Sequence, residues 1–374
     1  MGKAIISRII FALFTGLCST GFIVINPAPM LAQYSPQNQQ IEALLRQARD
    51  LIDAGDYDRA IAVYEQAAYY DRRNSKIYAG IGYLRTQQGQ YREASRAYQQ
   101  ALAIEGNNAD FYYAYAYCLA QMGDNRNAAR AYERAIQLAP ANNNSYMGLG
   151  VVLMRQGNYS RALEVYNRVA RNNPEDGSVF GFMATALLEL NRDREAIDLL
   201  QRAVDRYSSN SQLWIQLGIF LAGIDGDLDA ALNAFRRAER LNPNNANASL
   251  QIGRILQEQG QIPEARTMFA RAATAGANSW AIQVEVGDFF FEQQSYLSAT
   301  NAYRLATQLA PNNPEPFYKL GLVFRERRQE EEAVKAWNRA LQLYRQQGDR
   351  AGVQRVQSLL NDAPSSDRIF EPFN

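Results

Sequence analysis

Three carboxylates stand at alternate positions in residues 225–229, Asp-Gly-Asp-Leu-Asp, which is how a calcium-binding loop begins. A loop of that kind needs a glycine at its sixth position and a glutamate at its twelfth, where this chain has Ala230 and Arg236. We therefore interpret the segment as a turn between two helices, in which a carboxylate stabilises the start of the second helix. A weak site for a hard cation such as Ca²⁺ or Mn²⁺ is the alternative.

Side chains for catalysis are scarce. Histidine is absent from the 374 residues, which removes the commonest general base near neutral pH and the commonest zinc ligand. The two cysteines, Cys18 and Cys118, cannot form a disulfide in a mature chain if the N-terminal leader is removed. The sequence also has no paired nucleophile and base and no glycine-rich phosphate loop. It therefore predicts a protein that is not an enzyme and holds no metal or cofactor.

Charge is balanced, with 39 Lys and Arg against 38 Asp and Glu and a formal net charge of +1. A nucleic-acid-binding protein needs a surplus of basic residues to displace the counterions of the phosphate backbone. A polybasic membrane contact needs the same surplus. The sequence therefore predicts a protein or peptide partner, no nucleic acid, and membrane contact only through the leader if it stays uncleaved.

The first 32 residues resemble an export signal. Lys3 and Arg8 precede an almost wholly apolar run at 9–25, and prolines then end the run. Cleavage after Ala32 would leave the rest of the chain in the periplasm or an equivalent compartment. An uncleaved anchor is the alternative, because the apolar run is at the lower limit for spanning a bilayer. In both cases we expect the body to lie outside the cytoplasm.

A repeat of 34 residues organises the body of the chain. Related phrases, Gly-Asp-Tyr-Asp-Arg-Ala in the first case, stand at 55–60, 89–94 and 157–162. Nine repeats cover 41–347 and begin at Ile41, Ser75, Ala109, Asn143, Gly177, Ser211, Ala246, Trp280 and Pro314. A polar linker (33–40) is predicted before them, and a capping helix (348–361) and a flexible tail (362–374) after them.

Three positions of the repeat show how it packs. Position 8 is always Ala or Gly, position 20 is always Ala, and position 24 is aromatic in eight repeats and Leu200 in the fifth. Small residues let two helices approach closely, and large residues fill the space beside the crossing. The sequence therefore predicts two packed helices in each repeat, helix A at positions 2–14 and helix B at positions 18–31. Cys118, at an apolar position of helix A, is predicted to be buried.

Nine consecutive matches to this pattern resemble the tetratricopeptide repeat (TPR) family. The resemblance implies an all-α fold, a right-handed α-solenoid of nine helix-turn-helix units closed by the capping helix. Because each repeat buries its apolar face only against its neighbours, such arrays need caps at their ends. The resemblance also implies a non-catalytic scaffold for protein–protein interaction.

In TPR proteins, positions 2, 5, 9, 12 and 13 of helix A line the concave surface on which peptides bind. Repeats 2–4 place uncharged, tyrosine-rich side chains there, whereas repeats 7–9 place charges of both signs. The resemblance thus indicates these candidate partner-binding residues: Tyr83, Tyr113, Tyr117, Met147, Val151, Arg254, Asp288, Tyr318 and Arg325. The alternative is that some of the tyrosines pack against neighbouring helices instead of facing a ligand.

The expected function is that of a scaffold that binds a partner in this groove during assembly of an envelope or membrane complex. One alternative is a structural component of a secretion or pilus machine, held by an uncleaved anchor. Another is a metal-delivering photosystem assembly factor, since the chain is similar in repeat number and export to nine-repeat factors that help to build photosystem II.

Overall fold

The computed structural model describes residues 36–362, which form nineteen α-helices and one π-helical turn and contain no β-strand. The predicted leader and the predicted tail after Asp362 lie outside the described residues. The chain divides into two compact units, 1–207 and 208–374, each with its own set of internal contacts. Repeats 1–5 belong to the first unit, and repeats 6–9 and the capping helix belong to the second.

In the first unit, ten helices pack in five consecutive pairs, one pair to each repeat. They are α1 (Pro36–Asp53), α2 (Tyr57–Tyr70), α3 (Ser75–Gln87), α4 (Tyr91–Ile104), α5 (Ala109–Gln121), α6 (Asn125–Leu138), α7 (Asn143–Arg155), α8 (Tyr159–Asn172), α9 (Val179–Glu189) and α10 (Asp193–Arg206).

In the second unit, four pairs are followed by the capping helix, which packs against the helix before it. The elements are α11 (Ser211–Phe220), a π-helical turn (Leu221–Asp225), α12 (Leu228–Leu241), α13 (Ala246–Glu258), α14 (Ile262–Ala275), α15 (Trp280–Glu292), α16 (Tyr296–Leu309), α17 (Pro314–Glu326), α18 (Glu330–Gln347) and α19 (Arg350–Asp362).

Most helices begin one residue earlier than predicted, and a capping side chain precedes many of them. The last residue of a repeat is often asparagine, and its side-chain oxygen accepts hydrogen bonds from backbone N–H groups of the next helix A. The side chain of Asn108 accepts from the backbone N–H groups of Asp110 and Phe111 at 3.0 and 3.1 Å. Asn142 and Asn245 cap α7 and α13 in the same way. Helix A starts at position 1 in all repeats except the first and the fifth.

The core of each helix pair follows the predicted pattern. The alanine at position 20 is completely buried in every repeat: Ala60, Ala94, Ala128, Ala162, Ala196, Ala231, Ala265, Ala299 and Ala333. The aromatic ring at position 24 lies directly against position 8, where a Cβ atom added to Gly287 would stand 2.4 Å from the ring of Tyr303. Glycine at this position leaves the room that the ring fills.

The predicted linker is wrong in its second half. Helix α1 begins at Pro36, so residues 36–40 are helical, and the Gln40 side chain donates a hydrogen bond to the Tyr70 hydroxyl at 2.9 Å. Proline suits the first turn of a helix, where its missing N–H has no partner to lose. The first helix is therefore longer than the repeat pattern indicated.

Repeat 6 has one residue more than the other repeats, which would be expected to lengthen the turn at 225–229. The extra residue is instead absorbed at the end of helix A, which continues into the π-helical turn Leu221–Asp225. Gly226 then takes a left-handed conformation, with φ of 69°. Asp227 caps α12 and accepts a hydrogen bond from the backbone N–H of Ala230 at 2.9 Å. This carboxylate stabilises a helix start, as the sequence predicted for the turn.

The capping helix closes the second unit as predicted. Val356 on α19 is fully buried, and Gly352 lies against the ring of Tyr344 on α18. Helix α18 runs to Gln347, four residues beyond the other B helices in the repeat frame, and supplies the surface that α19 covers.

Candidate functional site

The tyrosine-rich candidates form one surface of the first unit, called here the tyrosine face and defined as Tyr83, Tyr113, Tyr117, Met147 and Val151. They lie on the A helices α3, α5 and α7, each of which contacts the next. All five side chains are half-buried. The structure therefore brings these predicted residues together on neighbouring helices and leaves part of each side chain accessible.

The tyrosines of this face also pack against the helices beside them, as the alternative interpretation of the sequence held. Tyr83 packs on a core cluster that includes Ile61 and Leu84. The ring of Tyr113 meets that of Tyr132 edge to face, with 5.9 Å between centroids. Such contacts fix the direction of a ring without covering it. Each tyrosine is thus partly core and partly surface.

Small residues at position 6 of the repeat make room for the tyrosine face. In repeats 2, 3 and 4 this position is Gly80, Ala114 and Gly148. The aromatic ring at position 24 of the preceding repeat occupies the space, and a Cβ atom on Gly148 would stand 2.4 Å from the ring of Tyr132. No charged side chain therefore rises from position 6 on this face.

Cys118 lies on α5, the helix that carries Tyr113 and Tyr117, and is fully buried, as predicted. Its cluster includes Tyr98 and Ala114, and its Sγ stands 3.4 Å from the Thr86 hydroxyl. Burial raises the pKa of the thiol to about 11. A neutral, buried thiol behaves as a small apolar group, so Cys118 is part of the packing between repeats 2 and 3.

The other candidates belong to the second unit and form the charged face, defined here as Arg254, Asp288, Tyr318 and Arg325. Position 9 of one repeat pairs with position 6 of the next. The guanidinium of Arg254 forms an ion pair with Glu285, and the carboxylate of Asp288 lies 2.7 Å from the ammonium of Lys319. The same two positions thus form an ion pair twice, with the signs of the charges exchanged.

Asp288 has a second partner. The hydroxyl of Tyr303, at position 24 of the same repeat, donates a hydrogen bond to its carboxylate at 2.6 Å. Burial and the adjacent carboxylate both raise the pKa of Tyr303, which keeps the phenol protonated as a donor. Asp288 is therefore held from two sides, so a ligand would have to compete with these bonds to reach it.

Tyr318 is covered from the capping helix. The guanidinium of Arg355 lies 4.6 Å from the centroid of the Tyr318 ring, a cation–π contact. Arg355 also stands 3.7 Å from the carboxylate of Glu315, which accepts a hydrogen bond from the Tyr344 hydroxyl at 2.7 Å. Tyr318 is thus part of the seam between repeat 9 and its cap.

Arg325 is the exposed member of the charged face. Its guanidinium lies 5.6 Å from the Trp337 ring, within reach of a cation–π attraction. The partner residues Glu285 and Lys319 were not among the predicted site residues, although the sequence contains a signal for them. Opposite charges recur at position 9 of one repeat and position 6 of the next.

Within residues 36–362, no group of three or more metal-ligating side chains lies close enough together to hold an ion. The 225–229 segment therefore forms no such group in the structure. Over the same described residues, no helix has both the length and the apolar character needed to cross a membrane.

Comparison with known families matches TPR models along most of the chain. Four models, described as tetratricopeptide repeat or TPR repeat, match residues 51–97, 82–123, 119–177, 153–218, 224–283, 287–327 and 317–346. These segments follow the repeat frame through both compact units. Comparison with the curated proteins gave no match.

Solved structures with similar folds are also TPR proteins. A tetratricopeptide repeat protein from Parabacteroides merdae covers 67% of this chain and 99% of its own, with 18% identity and a TM-score of 0.55. The chain is also similar to pilF of Pseudomonas aeruginosa, at 21% identity over 60% of this chain and 100% of that one, with a TM-score of 0.45. YrrB, described as a TPR protein with an unusual peptide-binding site, has 25% identity over 48% of this chain and 93% of its own, with a TM-score of 0.35. By its family matches and its paired helices, this chain belongs to the tetratricopeptide repeat family.

Proposed function

We propose that this protein is an exported, non-catalytic scaffold that binds an extended peptide segment of a partner on the tyrosine face, during assembly of an envelope or membrane complex. The observation that carries the proposal is the accessible aromatic surface of three neighbouring A helices in repeats 2–4. Export and the assembly role rest on the sequence of the leader and on the scaffold character of TPR proteins.

Tyrosine suits a binding surface for physical reasons. Its ring offers a large contact area with few rotatable bonds, so little conformational entropy is lost when a ligand orders it. Its hydroxyl can bond the backbone of an extended peptide, and tyrosine is enriched among the residues that dominate binding energy. On this face, packing against Tyr91 and Tyr132 already orients Tyr117 and Tyr113. Such preorganisation lowers the cost of binding.

On the charged face, a ligand would gain less from new contacts than it would lose by breaking existing ones. Arg254, Asp288 and Tyr318 already have partners in neighbouring repeats or in the capping helix. A ligand that bound there would have to replace these contacts and desolvate the charges, so the net gain would be small. We therefore assign this face to repeat-to-repeat cohesion and to the rate of association.

The proposal is tested by site-specific photo-crosslinking in native envelope extract. A photoreactive phenylalanine derivative replaces Tyr83 or Tyr117 in one pair of variants. In a control variant it replaces Leu322, which occupies the same repeat position in repeat 9. We expect the first two variants to form the same crosslinked protein adduct, identified by mass spectrometry, and the Leu322 variant to form none. Equal adducts from all three, or adducts from the Leu322 variant only, would contradict the proposal.

A further inference from the structure

We infer that the binding surface extends from the tyrosine face onto helix α1, and that its ligand is an extended peptide with an acidic side chain about three residues from an aromatic or large aliphatic one. This inference rests on the proposed function, because it specifies the ligand of the same surface. The residue that carries it is Arg49.

Arg49 occupies position 9 of repeat 1, the position of Arg254 in repeat 7. Arg254 meets Glu285 at position 6 of the following repeat. The equivalent position after Arg49 is Gly80, which has no side chain to pair with it. The repeat therefore places the same cation in both units but supplies a carboxylate partner in the second.

Arg49 is exposed and weakly engaged. Its Nε stands 3.5 Å from the Leu45 carbonyl, at the long limit of a hydrogen bond. The acids on α1 are Glu42, Asp50 and Asp53, and none of them forms an ion pair with Arg49 among residues 36–362. Arg46, one turn earlier on the same helix, is exposed as well. Two guanidinium groups thus face solvent at this end of the surface.

The arginine is continuous with the tyrosine face. It lies near enough to Tyr64 for its charge to oppose the rise that burial causes in the pKa of that phenol. The ring of Tyr64 packs on Gly80, and Tyr64 and Tyr83 pack on the same core cluster. Arg49, Tyr64, Gly80 and Tyr83 therefore form one stretch of surface that crosses from repeat 1 to repeat 2.

Spacing and charge together specify the ligand. Packed helices lie about 10 Å apart, and an extended chain advances about 3.3 Å per residue. A peptide with an apolar side chain at Tyr83 therefore reaches Arg49 about three residues later. A guanidinium with free donors favours a carboxylate, which accepts charge-assisted hydrogen bonds. The surface fits a peptide that combines both groups at that spacing.

The experiment uses a random peptide library displayed on phage, selected separately on the full-length wild type, Arg49→Gln and Arg254→Gln. We expect peptides selected on the wild type and on Arg254→Gln to be enriched in Asp or Glu about three residues from Phe, Tyr, Trp or Leu. We expect Arg49→Gln to lose the acidic preference and keep the apolar one. Arg254→Gln is the matched control, because it changes the same repeat position where a carboxylate already pairs with the arginine.

A double-mutant cycle then isolates the contact between Arg49 and the peptide carboxylate. The most enriched peptide is synthesised with its carboxylate and with the corresponding amide, and each form is titrated against the wild type and Arg49→Gln by fluorescence polarisation. The amide should bind the wild type about threefold to tenfold more weakly and bind Arg49→Gln with nearly the affinity of the acidic form. Equal losses in both proteins, or selected peptides without acidic residues, would overturn the inference. If the selected peptides bind a Tyr83→Ala, Tyr117→Ala variant as well as the wild type, the proposed function itself fails.

Discussion

The two candidate faces lie on the A helices of different repeats and share positions 5 and 9 of the 34-residue pattern, yet their side chains make different contacts. On the tyrosine face, position 6 is glycine or alanine, and aromatic rings fill the space between repeats. On the charged face, position 6 carries Glu285 or Lys319, and each pairs with position 9 of the repeat before it. The tyrosine face therefore keeps aromatic surface accessible, whereas charged groups of the charged face are paired within the protein. The repeat frame is shared, and the side chain at position 6 decides whether a face is available to a ligand.

The largest expected effect comes from truncating the tyrosine face. The double substitution Tyr83→Ala, Tyr117→Ala should weaken the partner captured by crosslinking by at least about 2 kcal/mol, roughly thirtyfold in Kd, because it removes two central aromatic anchors. Calorimetric titration measures the loss, and circular dichroism checks that the helices persist. The control is Tyr318→Ala, which should lower stability through the lost contact with Arg355 and leave affinity unchanged. An affinity loss in Tyr318→Ala equal to that in the double variant would remove the distinction between the faces.

Position 6 itself provides the next test. Leucine in place of Gly148 would collide with the ring of Tyr132 and should lower the free energy of unfolding by about 1–3 kcal/mol. The same substitution at Gln251, the equivalent position of repeat 7, should change it by less than about 0.5 kcal/mol, since Gln251 is half-buried and already has a long side chain. Chemical denaturation of the two variants gives the comparison. Similar losses would show that position 6 does not differ between the faces.

Removing one charge from the charged face should have a smaller effect. Asp288→Asn keeps an oxygen that accepts the Tyr303 hydrogen bond but loses the ion pair with Lys319, so the free energy of unfolding should fall by up to about 1 kcal/mol. The loss should shrink as salt rises, because salt screens partly exposed pairs. Asp110→Asn, at position 2 of repeat 3 in the first turn of α5, is the control and should cost only a few tenths of a kcal/mol. Binding of the captured partner that weakens with Asp288→Asn would place the ligand on the charged face.

The smallest expected effect concerns the turns that end the A helices. Position 15 is left-handed in every repeat except the longer sixth, where the next residue, Gly226, takes this conformation. Repeats 1–4 have glycine at position 15, whereas repeat 8 has Gln294 with φ of 54°. Gln294→Gly should stabilise the protein by about 0.5 kcal/mol. The strain relieved by removing a side chain from a left-handed residue should slightly exceed the additional conformational entropy that glycine loses on folding. The reverse change, Gly89→Gln in repeat 2, should destabilise it. Thermal unfolding measures both, and a destabilising Gln294→Gly would show that the turn is not strained.

Much of the fold could be predicted because the residues that determine helix packing recur at the same positions in nine repeats. The invariant alanine at position 20 and the aromatic residue at position 24 indicated a close helix crossing, and Ala196 and Tyr303 lie in it as expected. The start of α1 at Pro36 and the π-helical turn after Phe220 occur once each, at an end and at an insertion. A repeat pattern carries no information about such single events.

The helices that carry the candidate residues could be predicted from the sequence, but the contacts of those residues could not. Repeat positions correctly placed Tyr83 and Tyr117 on neighbouring helices, since helical geometry fixes which residues share a face. Whether Asp288 faces a ligand or a partner within the chain depends on Lys319, which lies in the next repeat. Reading one repeat at a time could not show that pair, whereas comparing position 9 with the following position 6 would have shown it.

The most direct test of the central claim is hydroxyl-radical footprinting of the protein with and without the captured partner, with oxidation of each tyrosine followed by mass spectrometry. Tyr83, Tyr113, Tyr117 and Tyr318 are all half-buried tyrosines on A helices, so they act as controls for one another. The account predicts that the partner slows oxidation of the three tyrosines in repeats 2 and 3 and leaves the rate at Tyr318 unchanged. Protection of Tyr318 with unchanged rates at Tyr83 and Tyr117 would contradict it.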